Sequence, residues 1–215
     1  MAQELGKVEK PPVGEFAKVK RLFFVPLVFL PDELPADLTE LVNRYWDQVE
    51  AQIANLEEKL GKVSKIYHEL IPVGGEQGCT VIEELGTGSY RAIKARVDSG
   101  AELQPLEDGQ LLIEVMDWSK CLSAGLQSEM VFDRVYESYL EAHSKRNEHI
   151  RKQINETLST EETGMLLMRE GHQIQFASDI QVFYIAPPGL DEIRRWFRSH
   201  ASEPQTQTDN TLNQG

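Results

Sequence analysis

Cysteine is scarce in this 215-residue chain. Cys79 and Cys121 are its two cysteines, they lie far apart, and neither belongs to a CxxC pair. This argues against a disulfide framework or a zinc knuckle and predicts two small buried hydrophobes. Basic charge is scarce as well: 35 acids stand against 22 bases, a formal charge of −13. A general nucleic-acid binder needs a positive field over the phosphates, so that class is disfavoured, and an anionic membrane surface equally so. Long hydrophobic runs are missing. The longest, Leu22 to Leu30, is broken by Pro26 and falls short of the roughly 20 residues that span a bilayer. The start of the chain sets Lys7, Lys10, Lys18 and Lys20 among Glu4, Glu9 and Glu15 and has no apolar signal-peptide stretch. The expectation is a soluble cytoplasmic protein.

Catalytic and cofactor signatures are also missing. No GxSxG elbow or kinase motif set occurs, and no cofactor is implied. Tyr67-His68-Glu69-Leu70 opens like a zincin helix, but Pro72 stands where the second histidine is needed. The segment Leu85-Gly86-Thr87-Gly88-Ser89-Tyr90 resembles a phosphate-cradling loop ahead of Arg91 and Lys94, yet neither GxxxxGK[ST] nor a full GxGxxG is present. A helix start capped by Ser89 or Thr87 accounts for the same residues.

The hydrophobic patterning is clear. Leu22–Leu30 reads as a strand covered on both faces, with Pro26 marking a bulge or a side left unpaired. After Pro31, Asp32 and Pro35, the residues Leu38, Leu41, Val42, Tyr45, Trp46, Val49, Ile53, Leu56 and Leu60 fall at helical steps, and Gly61 is a natural stop. A second strand is expected over Val63–Val73, which completes a parallel βαβ unit. Short helices are predicted near 76–85, 88–98 and 108–123, then a long helix from Ser128 to Leu158. Strands are predicted at Met165–Met168 and Gln181–Ala186, with a short one at Ile174–Phe176, and a closing helix at Leu190–Arg198. The order implies a single α/β domain over residues 18–200, a layered fold with a small mixed sheet of about four strands flanked by helices. Residues 1–17 read as a flexible lead. Residues 201–215 are polar and read as disordered.

Met168-Arg169-Glu170-Gly171-His172 is the most suggestive place for chemistry, because sites in open α/β sheets gather beyond the carboxyl ends of strands. Glu170, His172 and Asp179 are the candidate catalytic groups, with Arg169 as an anion holder and His68 and Glu69 as substrate-binding candidates. A plain polar hairpin, with Glu170-Gly171 as its turn and Arg169 and His172 facing solvent, is the simpler reading of the segment. Neighbouring strand residues point to opposite faces, so His68 and Glu69 are not expected to cooperate, though one of them can face the cleft of Glu170. On the long helix, His143 falls on the apolar stripe beside Tyr139 and reads as a core histidine. Lys145, Arg146, Arg151 and Lys152 read as a solvated face. Pairs Glu141/His143 and Glu148/His149 lack the spacing of a di-iron site, and no metal site is expected. Pro187-Pro188-Gly189 reads as a strand-to-helix junction, Trp118 as a core aromatic, and Arg194, Arg195 and Arg198 as partners for the chain's own acids.

The run LLMREGHQIQF, followed by DIQVFYIAPPGLDEIRRWF, resembles a segment of a bacterial protein family that carries no known activity. The resemblance therefore implies no cofactor and no residue role. Three functions stand open. The first is a non-catalytic binding or regulatory protein, with a protein partner or a homodimer. The second is a hydrolase or transferase acting on a small anionic or phosphorylated molecule through Arg169, Glu170, His172 and Asp179. The third is an RNA- or ribosome-associated factor. The absence of any catalytic motif favours the first.

Overall fold

The structure, a computed structural model, describes residues 19–30, 34–86 and 88–200. The expected lead (1–17) and tail (201–215), and the expected helix-start residues Pro31 and Asp32, lie outside the described residues. The apolar run forms β1 (Lys20–Pro26). Its side chains alternate between faces: Phe23 and Val25 enter one core, Leu22 and Phe24 the other, and all four are buried. Such a strand belongs inside a sheet covered on both sides.

The sheet also contains β2 (Val63–His68), β3 (Glu102–Gln104), β4 (Thr163–Met168) and β5 (Ile180–Tyr184). Its order is β3–β2–β4–β1–β5, and every pairing is parallel. On one face lie α1 (Ala36–Leu60), α2 (Gly75–Leu85), α3 (Tyr90–Asp98) and α6 (Pro188–His200). The other face is covered by α5 (Glu129–Thr157), through Ile150 and Ile154. Between β3 and α5 comes α4 (Gly109–Ser123), which packs along α5. Among the described residues, no helix is long and apolar enough to cross a membrane.

The α/β layers and the long helix match the sequence reading; the mixed, four-stranded sheet does not. β3 was missed because one buried residue, Leu103, between two more exposed neighbours is too short to show a period of two. Ile174 and Phe176 alternate like a strand, but they lie in the strand-free connection from β4 to β5, where they pack on the α5-side core. That connection crosses β1 instead of folding back as a hairpin, which keeps β5 parallel. β2 stops at His68, short of Val73, because Leu70 takes a positive φ of 71° and turns the chain. Pro26 has the unpaired side expected of it. β5 pairs with β1 only as far as Phe24–Tyr184. The Pro26 carbonyl instead accepts a hydrogen bond from Tyr45 Oη at 2.5 Å, tying β1 to α1.

α6 sits so close to α1 that Gly189 has no room for a side chain. An added Cβ would stand 3.0 Å from the Tyr45 Cα, and the Gly189 amide donates to Gln48 Oε1 at 2.8 Å. Gly189→Ala is expected to push the two helices apart and to lose about 1–3 kcal/mol, the range for overpacking a tight contact. Urea denaturation measures this; an unchanged midpoint would show that α6 is not seated as described.

Candidate functional site

The end of β2 sends two polar side chains to opposite faces. His68 enters the α1–α3 layer. Its Nδ1–H donates to the Glu69 carbonyl at 2.5 Å, and its Nε2 accepts from Ser89 Oγ at 3.1 Å. It is fully buried, and burial pushes its pKa down to about 4. His68 is thus an uncharged strut between β2 and the start of α3, away from any cleft. The glycine-rich loop serves the same junction: Gly88, at a φ of +77°, lies against the Trp46 indole with no space for a Cβ.

Glu69 enters the other layer, at the carboxyl edge of the sheet, and meets two arginines. Arg169, just past β4, donates its amide to Glu69 Oε2 at 2.8 Å, and its Nε and Nη2 to Oε1 at 3.1 and 2.9 Å. Arg146 of α5 donates Nη2 to the same Oε1 at 3.1 Å. Arg146 also grips Glu107, with Nε on Oε2 at 2.9 Å and Nη2 on Oε1. Glu107 in turn accepts the Leu70 amide at 3.2 Å. Burial works to raise the Glu69 pKa, but the Arg169 hydrogen bonds and the Arg146 charge outweigh it and hold the carboxyl below its usual range. Burial likewise opposes charge on Arg146, and Glu107 and Glu69 together overcome it. The result is a charge-balanced cluster of two carboxylates and two guanidiniums, with Glu69, Glu107 and Arg146 buried and Arg169 exposed at its rim.

A cleft opens beside this cluster. Its inner part, about 190 Å³, is lined by Glu69, His143, Arg146, Arg169, Glu170 and His172, among others. A neighbouring space of about 290 Å³ adds Met116 and Lys120 of α4, and a third of about 270 Å³ follows α5 past Asn147 and Arg151. His143 lines all three, so they form one trough. Asn147 Nδ2 donates to His143 Nδ1 at 3.1 Å, and the Ile174 amide donates to His172 Nδ1 at 3.3 Å. Each ring therefore carries its proton on Nε2. Burial lowers both pKa values, aided at His143 by the charges of Arg146 and Arg169. The His172 ring is further fixed against Phe24 and Phe176. The cleft is thus lined by two imidazoles whose Nδ1 atoms accept from the protein, leaving Nε2–H as the donor, together with two guanidiniums.

The candidate residues from the sequence divide sharply. Glu69, Arg169, Glu170 and His172 line one cavity. Glu170 is held by Tyr184 Oη and by Arg194, whose Nε lies 3.1 Å away. Asp179 cannot join them. It precedes β5 at the amino edge of the sheet, where it pairs with Lys20 at 3.4 Å, a strand length or roughly 20 Å from His172. His68 points away, as above. Cys121 is exposed, contrary to expectation, whereas Cys79 is buried. Arg146 is no part of a solvated face: it is buried, and sequence reasoning missed it together with Glu107. The signal was its place in the series Ala142, Arg146, Ile150, Ile154, all buried at four-residue steps. Among the described residues, no group of three His, Cys, Asp or Glu side chains is placed to hold a metal ion.

Two stability tests follow. Arg146→Met strands Glu107 as a buried charge and is expected to cost about 3–5 kcal/mol. The double variant Arg146→Met/Glu107→Gln should recover part of that loss in urea melts, and equal losses would disprove the coupling. The second test concerns pH. Unfolded His68 takes a proton near 6.5, while the folded form resists until about 4. Stability should therefore fall as pH drops through that window, by roughly 3 kcal/mol from His68. His143 and His172 add slope of the same sign. Urea melts of wild type and His68→Gln, taken across that window, should show a shallower slope in the variant; parallel slopes would count against a neutral buried His68. Comparison with known proteins brings no match, whether to a protein-family model, a curated protein or a solved structure, so function must be read from the side chains of this cleft.

Proposed function

We propose that the protein is a non-catalytic binding or regulatory protein whose cleft at the carboxyl edge of the sheet takes a small anionic group, a carboxylate or a phosphate. The observation that carries this reading is the supply of donors without a base. Arg169, His143 and His172 line the inner cavity as donors. The carboxylates there, Glu69 and Glu170, are already held by guanidiniums. A general base needs a lone pair facing the substrate, and both imidazoles spend theirs, at Nδ1, on the protein itself. An anion needs converging N–H groups, which the cleft offers on several sides. The Arg169 guanidinium uses Nε and Nη2 on Glu69 and lies 5.0 Å from the centre of the Phe29 ring, which fixes its position at the rim.

The second reading is a hydrolase or transferase acting on a phosphorylated molecule. It is favoured by the convergence of Arg169, Glu170 and His172 on one cavity. It requires Glu170 to leave Tyr184 and Arg194, and it proceeds without Asp179.

The test is a thermal-shift and calorimetry panel of inorganic phosphate, sulfate, acetate and small phosphomonoesters. A ligand at a hundredfold excess over its dissociation constant adds about 2.7 kcal/mol. Wild type and the distant control Asp179→Asn should both be stabilised. His143→Ala and Arg169→Lys should bind about tenfold or more weakly, the scale of one lost charge-assisted hydrogen bond. No stabilisation by any anion would refute the reading. Phosphomonoester turnover that disappears in Glu170→Gln would replace it with the enzymatic one.

A further inference from the structure

α5 is too long for the sheet it covers. Its 29 residues span about 43 Å, whereas six-residue β4 spans about 20 Å. Arg146 meets Glu69 at the carboxyl edge, so the helix before Arg146 projects beyond the sheet. One stripe nevertheless runs along the whole helix. Phe132, Tyr136, Leu140, His143, Asn147, Ile150 and Ile154 recur at steps of three and four and share a face. Over the sheet this stripe is sealed, and Ile150 and Ile154 are 0% exposed. Past the edge the same stripe is bare: Phe132, Tyr136 and Leu140 are 42%, 44% and 46% exposed. α4 packs beside this projecting half, and Val115 is its one buried residue. Ile113 and Met116, one helical turn apart on α4, are 54% and 47% exposed, and Met116 lines the trough with Tyr139 and His143. Met116 thus lies beside α5 where its stripe reaches His143, and Ile113, three residues earlier, shares that face of α4.

We infer that this α4–α5 arm is the pairing surface of a homodimer, in which two arms close into a four-helix bundle about a two-fold axis. A pair of helices has no interior of its own, and four is the usual number at which both helices of a hairpin bury an apolar stripe. A two-fold axis lets the same surface serve as its own complement. The size agrees. Phe132, Tyr136 and Leu140, together with Ile113 and Met116, give the arm five large apolar side chains that are about half bare. At roughly 200 Å² for a fully exposed large side chain, that is roughly 450–500 Å² per copy, close to the apolar share, roughly 60%, of the ~800 Å² that each partner buries in a stable pair. The chain's own ends are poorer occupants. Residues 201–215 contain Leu212 as their one large apolar side chain, and the residues before Lys20 join the fold at the opposite edge of the sheet. His143 stands where the stripe meets the cleft, so the second copy lies at the cleft's rim.

Sedimentation equilibrium on the full chain tests this. Wild type is expected to be a dimer at micromolar concentration. Tyr136→Glu/Leu140→Glu places charges on the bare stripe without touching the buried residues of α5. It should weaken dimerisation roughly a hundredfold or more, the scale of losing central interface side chains. Its circular dichroism and urea m-value should match those of monomeric wild type at high dilution. A wild type that stays monomeric at high concentration overturns the inference. So does a dimer that survives the double substitution, which would place the contact elsewhere. If wild type is monomeric and becomes dimeric only when residues 201–215 are removed, the chain's own tail covers the stripe and the inference fails.

Discussion

Four charges at the carboxyl edge of the sheet hold the main parts of the molecule in register. Glu69 follows β2, Glu107 lies beyond β3, Arg169 follows β4, and Arg146 comes from α5. No two of them are neighbours in sequence, so the cluster forms only when all four segments have arrived. Burying such groups is costly, and the cost is offset only when geometry is good and remaining hydrogen-bond capacity is used. Both conditions hold. The planar Arg146 fork spans two carboxylates, a task that lysine's single ammonium cannot match. The carboxylates also take backbone amides that the strand ends leave without ladder partners, Arg169 N on Glu69 and Leu70 N on Glu107. An apolar replacement would relieve the desolvation but orphan those amides.

How much of this was legible in the sequence depended on how local the cause was. β1 was legible because four consecutive buried residues need covers on both faces, whatever lies around them. α1 was legible because its stripe is long, and Gly61 ends it. β3 was not, since a three-residue strand exists only by pairing with β2. Arg169, Glu170 and His172 were singled out by a rule about strand ends, and all three line one cavity just past β4. The same rule failed for Asp179 because the connection after β4 traverses the sheet to begin β5, carrying Asp179 to the far edge. Arg146 was hidden by its type. Its charged neighbours Lys145 and Arg151 are solvated, and only its four-residue spacing from Ala142 and Ile150 marked it as buried. Neither Glu107 nor the orientation of His143 has a local signature at all; both depend on which helix crosses which strand.

A single helix joins the three features that matter for function. The final turns of α5 complete one core, its middle supplies His143, Arg146 and Asn147 to the cleft, and its first half projects as an arm beside α4. Its apolar stripe does not change character along the way; only what covers it changes. The polar residues on that stripe, His143 and Asn147, fall where the cover stops, and there they bond to each other. A stripe that is half core and half surface is expensive to leave bare in water, and this turns the overhang into a statement about association.

The protonation state of the cleft follows from the same geometry. A histidine acts as a base through an unoccupied ring nitrogen, and a carboxylate acts as one only when it is not already paired. In this cleft the helix supplies an amide from Asn147 to one ring, and the loop after β4 supplies a backbone N–H to the other. Each hydrogen bond accepted at Nδ1 fixes the opposite nitrogen, Nε2, as the donor. Burial, aided by the nearby guanidiniums, then makes it harder for His143 to gain a second proton and lowers its pKa. Fixed donors that resist titration suit recognition of a charge that stays put. Proton transfer asks for groups that change state near neutral pH. The carboxylates, imidazoles and guanidiniums therefore bear together on the proposed anion site: the carboxylates are already paired, and both rings are fixed by the protein's own donors.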